Sequence, residues 1–298
     1  MAKPFLKWAG GKRQMIPAIE KRLPEDIEQL ETYIEPFIGG GALMFHLLER
    51  YNFENIHISD LNPELILCYR EIQRDASAVY DKLQQLIDSY PALIEERKPV
   101  YYQVREDWNS GVDSIEEMGH SDRAERVAQM LFLNKTCFNG LYRVNQKGGF
   151  NVPIGSYEKP SFHAEEDLLE AHDALQGVEI HLAGYEKCLE WATESSFVYF
   201  DPPYRPLSKT SSFISYTKGD FNDEHQRALS EVYKEIHSLG AKALLSNSDP
   251  KNTNPDDEFF DDLYSEFTIH RVTANRAINS NISQRGSITE ILVSNYMV

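Results

Sequence analysis

The sequence predicts an α/β fold, with a parallel sheet that carries helices on both faces and is interrupted by an inserted helical domain. Near both ends of the chain, short apolar runs alternate with helix-like segments, whereas the middle has helix-like segments in succession. The run Phe-Val-Tyr-Phe at 197–200 is apolar without alternation. This pattern is typical of a strand buried on both faces of a parallel sheet.

The first strand is predicted at 33–37, and the glycines at 39–41 lead from it into a helix. A second strand at 55–59 ends before Asp60, about twenty residues past the glycines, where dinucleotide-type folds place an acid on ribose hydroxyls. Strand, glycines, helix and acid indicate a Rossmann-like unit, although a triple glycine is also compatible with a flexible loop.

The middle of the chain, at 63–163, is predicted to be a separate domain inserted between segments 1–62 and 164–298, which together form the sheet. It ends in two runs, 138–145 and 150–153, which flank a glycine turn and predict a β-hairpin. Basic residues interleaved with aromatic ones suit an element that enters a DNA groove. A solvated hairpin with its own small cluster is the alternative. The helices predicted here are 62–70, 76–89, 101–109 and 123–135.

After this insertion the α/β alternation resumes. Helices are predicted at 165–175, 186–192 and 223–239, and further strands at 179–182, 243–246, 267–272 and 291–295. The tetrapeptide Asp-Pro-Pro-Tyr at 201–204 directly follows the strand at 197–200. Its prolines fix a loop at the carboxyl end of a strand, where open α/β sheets bind ligands. A simple turn is the alternative.

Composition and charge bound the possible partners. With 298 residues, 41% apolar and 26% charged, and no apolar run of membrane length or signal-peptide core, the chain is predicted to be cytoplasmic, without a membrane partner. Its three separated cysteines indicate neither disulfides nor a zinc site. The net charge of -17 disfavours nucleic acid, but 1–22 carries +5 and 121–160 carries +3. We therefore expect any nucleic acid to bind a local basic face.

The chain resembles the Dam family of DNA adenine methyltransferases, found in bacteria and their phages. The resemblance covers nearly the whole chain and rests on five motifs in the family's order. These are Phe-Leu-Lys-Trp-Ala-Gly-Gly-Lys at 5–12, Glu-Pro-Phe-Ile-Gly-Gly-Gly at 35–41, Phe-Asn-Gly-Leu-Tyr-Arg at 138–143, Gly-Phe-Asn-Val-Pro at 149–153 and Asp-Pro-Pro-Tyr at 201–204. It implies a Rossmann-like methyltransferase sheet and a DNA-recognition domain.

The resemblance implies S-adenosylmethionine as the cofactor. The residues that match its pocket are Trp8, Ala9, Lys12, Phe37, Gly39, Asp60 and Asp201. Among them, Asp60 would bind the ribose hydroxyls. Family members often carry an acid where this chain has Gly184, so the contact to the cofactor's adenine falls to main chain or to Tyr185.

The catalytic assignment can also be argued chemically. The exocyclic nitrogen of adenine is a poor nucleophile, because its lone pair is delocalised into the ring. If Asp201 and the Pro202 carbonyl both accept hydrogen bonds from this amine, they favour a pyramidal nitrogen and stabilise the charge that develops during methyl transfer. Tyr204 would stack on the base, which must be flipped out of the duplex.

The resemblance implies double-stranded DNA as the partner and GATC as the target. We also expect the enzyme to be a monomer in solution. Lys7 matches the contact to the first guanine, and Arg143 matches the residue that reads the guanine paired with the final cytosine. The remaining matched residues are Leu141 and Pro153 at the thymine methyl, Phe138 and Asn139 near the vacated base, and Ser208 and Ser211 in a closing loop.

Two other functions fit parts of the pattern. Methylation of cytosine's exocyclic amine, or of a protein amide, uses a related acid-or-amide plus Pro-Pro-aromatic arrangement. Asp201, in place of Asn or Ser, and the motif at 7–12 favour adenine. The other function is that of a catalytically silent DNA-binding module, which would bind DNA without transferring a methyl group.

Overall fold

A computed structural model describes residues 2–8, 10–111, 115, 117–205, 221–275 and 287–298. Within these ranges a seven-stranded sheet has the order β3-β2-β1-β4-β5-β7-β6. The strands are β1 Thr32–Pro36, β2 Asn55–Asp60, β3 Val178–Leu182, β4 Ser196–Phe200, β5 Lys242–Ser248, β6 Thr268–Asn275 and β7 Ser287–Ser294. The strand order confirms the predicted sheet of an α/β fold.

The strand directions place the carboxyl ends of the central strands at one edge. β1 pairs in parallel with β2 and with β4, and β4 pairs in parallel with β5. β7 runs antiparallel to both β5 and β6. All five residues of β1 and all five of β4 are buried, as the continuous apolar run at 197–200 predicts.

Helices account for most of the remaining regular structure in the described ranges. They are α1 Ile16–Glu20, α2 Ala42–Leu48, α3 Pro63–Asp88, α4 Ile94–Ser110, α5 His120–Thr136, α6 Glu165–Leu175, α7 Cys188–Trp191, α8 Asp223–Ser238 and α9 Phe259–Leu263. Among the described residues, none of these helices is long and apolar enough to cross a membrane.

The chain forms two compact units, and the first contains most of the sheet. This sheet unit comprises residues 12–38, 50–61 and 181–298. One face of β4, with Val198 and Phe200, packs in a buried cluster with Leu229 and Tyr233 of α8. Burying a side chain such as Phe200 stabilises the fold by about 1.5–3 kcal/mol. The core therefore fixes the strand from which residues 201–204 emerge.

The second unit, here called the helical unit, comprises residues 1–11, 39–49 and 62–180. A buried ion pair lies in its interior, with 2.6 Å between Arg126 Nη2 of α5 and Glu64 Oε1 of α3. The Arg126 guanidinium also donates to the Trp108 carbonyl at 2.9 Å and lies 4.4 Å from the Trp108 ring. These contacts join α3, α4 and α5. The assignment of 63–163 to DNA recognition remains a prediction.

Two predicted elements differ in detail from the structure. The helices expected at 62–70 and 76–89 form the single segment α3, interrupted at Asp75 (φ -158°, ψ 81°). The Asp75 side chain accepts a hydrogen bond from the Ala78 N–H at 2.9 Å and so caps the second half of α3. The expected hairpin at 138–153 has no regular strands; isolated antiparallel bridges join Cys137 to Ile154 and Val144 to Phe150.

Candidate active site

The Asp-Pro-Pro-Tyr tetrapeptide directly follows β4, and its acid is paired with a buried lysine. The Lys12 ammonium lies 2.8 Å from Asp201 Oδ1, and the two side chains are 7% and 18% exposed. The Ser246 hydroxyl of β5 donates to the same carboxylate oxygen at 2.9 Å. Burial raises the pKa of the Asp201 carboxyl, while Lys12 and Ser246 act in the opposite direction.

Tyr204 lies beside this pair. Its hydroxyl donates to Glu290 Oε2 of β7 at 2.6 Å, and its ring centroid is 4.0 Å from the Lys12 ammonium. Burial raises the pKa of the Tyr204 hydroxyl well above its usual value. The Lys12 cation is therefore held between a carboxylate and the electron-rich face of an aromatic ring.

The main chain of the tetrapeptide is fixed by neighbouring side chains of the sheet unit. Gln226 of α8 donates to the Pro203 carbonyl at 3.1 Å. The Asn247 side chain of β5 accepts from the Arg205 N–H at 3.2 Å. The Arg205 guanidinium in turn contacts Asp223 at 2.7 Å and Asp257 at 2.8 Å. These bonds hold residues 203–205 in one conformation, beside the acid and the ring.

The predicted cofactor residues of the sheet unit lie at the same edge of the sheet. β1 and β2 are in register up to Pro36 and Ser59, and the Ile38 N–H donates to the Ser59 carbonyl at 3.0 Å. Asp60, the last residue of β2, follows Ser59, and Phe37 follows Pro36, which is the partner of Ser59. Because parallel strands end at a common edge, the carboxyl ends carry Phe37, Asp60 and Asp201 together.

Phe37 has an unusual conformation and an aromatic neighbourhood. Its φ of 66° is in the left-handed region, which costs a non-glycine residue of order 1–3 kcal/mol and is found most often at functional sites. Its ring stacks on Tyr185 at 5.3 Å and meets the edge of Phe221 at 5.7 Å. Burial and the Glu186 carboxylate raise the pKa of Tyr185 to about 12, so this phenol stays neutral at physiological pH.

In the helical unit, Trp8 and Gly39 lie against each other. Gly39 has φ 47°, and a Cβ at this position would lie 3.1 Å from the Trp8 ring. The Tyr69 hydroxyl donates to the Gly39 carbonyl at 3.0 Å. The Trp8 ring also stacks on the Tyr142 ring, with 4.9 Å between the ring centroids. The glycine at 39 thus allows the main chain to approach Trp8 closely.

The predicted DNA-contacting residues of the 138–153 segment are mostly at the surface. Phe138 is 51% exposed, and Asn139, Arg143 and Pro153 are exposed as well, whereas Leu141 is partly buried. Asn139 has φ 59° within a turn of 3-10 helix, Phe138–Gly140. The Arg143 Nε donates to the Asn151 side chain at 2.7 Å.

Two of the three aromatic residues of this segment are buried. Tyr142 and Phe150 are buried and meet the Trp108 ring of α4 at 6.4 Å and 6.0 Å. The Asn109 side chain also accepts from the Phe150 N–H at 2.7 Å. Packing on α4 therefore anchors the segment, and Phe138 alone of the three is exposed.

Some site residues escaped sequence reasoning, and some predicted ones cannot be placed. Ser246, Glu290 and Arg205 contact the tetrapeptide or its neighbours, but no local motif marks the first two. The position of Ser246 at the end of an apolar run was the available signal for it. The predicted residues Ala9, Ser208 and Ser211 lie outside the described residues.

The fold and the site together define a class of protein, an α/β enzyme whose site lies at the carboxyl edge of a mostly parallel sheet. Residues 8–278 match the family described as D12 class N6 adenine-specific DNA methyltransferase. The chain belongs to this family, which confirms the resemblance seen in the sequence. DNA is therefore its substrate, and the reaction is an adenine-specific methyl transfer.

Three relatives match this chain over almost their whole length. The chain is 47% identical to a type II methyltransferase of Methanocaldococcus jannaschii, over 99% of each chain. It is 39% identical to a type II methyltransferase of Lactococcus lactis subsp. cremoris, over 99% of this chain and 95% of the relative. It is 34% identical to a DNA adenine methylase of Vibrio cholerae, over 97% and 94% respectively.

Proposed function

We propose that the enzyme transfers a methyl group from S-adenosylmethionine to the N6 amine of an adenine that is flipped out of a GATC site in duplex DNA. The observation that carries this proposal is the position of the Lys12 ammonium, 2.8 Å from the Asp201 carboxylate and 4.0 Å from the Tyr204 ring centroid. A site that holds a nitrogen cation in this way suits an amine that becomes cationic as it is methylated.

The chemistry requires two hydrogen-bond acceptors for the amine. Asp201 and the Pro202 carbonyl are proposed to fill this role, since acceptors favour the pyramidal nitrogen whose lone pair can attack. Tyr204, held by its hydrogen bond to Glu290, is proposed to stack on the adenine ring. The Gln226 and Asn247 bonds keep these groups in place before substrate binds, which supports an orientation effect.

The residues at the carboxyl edge of the sheet fit an adenosine-containing cofactor with a positive sulfonium. Asp60 is the last residue of β2, where a ribose-binding acid is expected, and the rings of Phe37 and Tyr185 offer an apolar surface for an adenine. Lys12 and Asp201 are proposed to border the same pocket, with Trp8, Gly39 and Ala9 as further contacts. When bound, S-adenosylmethionine supplies the electrophilic methyl group.

DNA recognition is proposed to reside in residues 63–163, together with Lys7, whereas 1–62 and 164–298 are proposed to carry catalysis. Arg143 and Lys7 are proposed to read guanines, and Leu141 and Pro153 the thymine methyl. The exposed ring of Phe138 and the neighbouring Asn139 are proposed to fill the space left by the flipped base. Flipping costs a few kcal/mol, which these contacts have to offset.

Tritiated methyl transfer to matched duplexes tests the proposal. Duplexes with one GATC site, with a single altered base pair in it, and with none are incubated with labelled S-adenosylmethionine. The proposal predicts label only in the first at low enzyme concentration. Incorporation that ignores GATC would contradict the specificity, and no incorporation into any duplex would favour a DNA-binding module without activity.

A further inference from the structure

We infer that Asn134 is a positioning residue for sequence discrimination, because its side chain fixes Lys7 relative to the turn Phe138–Gly140. This inference rests on the proposed function, in which Lys7, Phe138 and Asn139 contact DNA. Asn134 belongs to the last turn of α5, is 2% exposed, and therefore cannot itself reach a base. Its effect has to pass through the residues that it holds.

The Asn134 side-chain amide forms hydrogen bonds with both Lys7 and the turn Phe138–Gly140. Its Oδ1 accepts from the Lys7 N–H at 2.9 Å, and its Nδ2 donates to the Lys7 carbonyl at 2.9 Å. The same nitrogen donates to the Gly140 carbonyl at 3.2 Å. The amide thus uses both donors and one acceptor, and only one of its two flipped orientations satisfies the N–H and the carbonyl of Lys7.

Close packing makes this arrangement rigid. Gly140 has φ 63°, and a Cβ there would lie 2.7 Å from Lys7 Cδ, so the aliphatic stem of Lys7 lies directly against the turn. Beyond this contact Lys7, Phe138 and Asn139 are all exposed. One buried amide therefore fixes the main chain of Lys7 relative to the turn that carries the exposed Phe138 and Asn139.

The test compares Asn134→Ala with a matched control in the same helix. The control is Thr136→Val, because Thr136 is also buried and its hydroxyl donates within α5, to the Phe132 carbonyl at 2.7 Å. The measured quantity is the ratio of kcat/KM for a GATC duplex to that for a duplex altered at the first guanine. Thermal melting of each variant is recorded alongside.

We expect Asn134→Ala to lower this ratio on the order of tenfold, as the loss of one well-oriented base contact does. Thr136→Val should lower the melting temperature but leave the ratio unchanged. In a Lys7→Ala background, Asn134→Ala should lower the ratio no further. Asn134→Asp keeps only the acceptor for the Lys7 N–H, so we expect it to lose discrimination too; it carries the test should the alanine variant not fold.

An unchanged ratio in Asn134→Ala and Asn134→Asp would overturn the inference while leaving the proposed function intact. Equal losses in the Asn134 variants and Thr136→Val would also overturn it, because they would indicate a general effect of destabilisation. A wild-type enzyme without preference for GATC in the same assay would overturn the proposed function and this inference together. The two failures are therefore distinguishable.

Discussion

The Lys12 ammonium and the Asp201 carboxylate form an ion pair of 2.8 Å at the end of β4, and Tyr204 covers the cation with its ring. The acid that is proposed to accept the adenine amine thus already contacts a positively charged nitrogen. This relationship links the electrostatics of the site to its proposed chemistry, and several of the expected outcomes below depend on it.

Replacing Lys12 by Ala should shift the pH dependence of the reaction. Burial raises the pKa of Asp201 and Lys12 opposes this, so removing the ammonium should raise that pKa further. Because the ionised carboxylate is the acceptor, activity is lost as the pH falls through the Asp201 pKa. The acidic limb of the kcat/KM profile should therefore move to higher pH in Lys12→Ala and less in Lys12→Arg. If the acidic limb moves in neither variant, the ionisation that limits activity at low pH is not that of Asp201.

Asp201→Ala should abolish methyl transfer and leave DNA affinity largely unchanged. It should also destabilise the fold by up to about 3–5 kcal/mol, since it removes the carboxylate that pairs with the 7% exposed Lys12. Asp201→Asn is the control, because it keeps the shape and one acceptor oxygen but removes the charge. Single-turnover methylation, DNA binding and denaturant unfolding measure the three effects. Turnover close to that of the wild type in Asp201→Ala would refute the assigned role.

Tyr204 should act mainly through its ring. Stacking on a base contributes about 1–3 kcal/mol, so Tyr204→Ala should lose roughly 5- to 150-fold in kcat/KM. Tyr204→Phe keeps the ring and loses only the 2.6 Å hydrogen bond to Glu290, and we expect a much smaller loss. Equal losses in the two variants would instead assign the main role to the hydroxyl.

Arg143→Ala should cost about 1–3 kcal/mol of discrimination at one guanine. The comparison is kcat/KM on GATC and on duplexes with each position altered in turn. Lys147→Ala, an exposed cation of the same segment, is the matched control and should weaken binding to all duplexes alike. If Arg143→Ala also weakens all duplexes equally, Arg143 contacts phosphate rather than a base.

Local sequence patterns were sufficient to predict the strand at 197–200 and the loop that follows it. Continuous apolar residues and two prolines determine the conformation of the segment in which they occur. Local patterns were insufficient for Ser246 and Glu290. These residues reach Asp201 and Tyr204 only because the sheet order places β5 beside β4 and β7 beside β5, a long-range arrangement. The spacing of residues along one strand does not determine the order of the strands in the sheet.

Which aromatic residues of the 138–153 segment are buried could not be predicted, for a related reason. Its three aromatic residues cannot be told apart by their spacing in the sequence, but Trp108, about 30 positions earlier in the chain, buries Tyr142 and Phe150 and leaves Phe138 exposed.

Short helices such as α9 were not predicted either, since the acidic and aromatic residues of α9 give too short a run for a helical period. Periodicity needs more than one turn to be informative.

The central claim is methyl transfer to adenine N6 within GATC, and identification of the methylated nucleoside tests it most directly. A GATC duplex is incubated with enzyme and S-adenosylmethionine, digested to nucleosides and analysed by mass spectrometry. We predict N6-methyladenine from this duplex and none from a duplex in which GATC is altered. N4-methylcytosine, or N6-methyladenine from both duplexes in equal amount, would contradict the account.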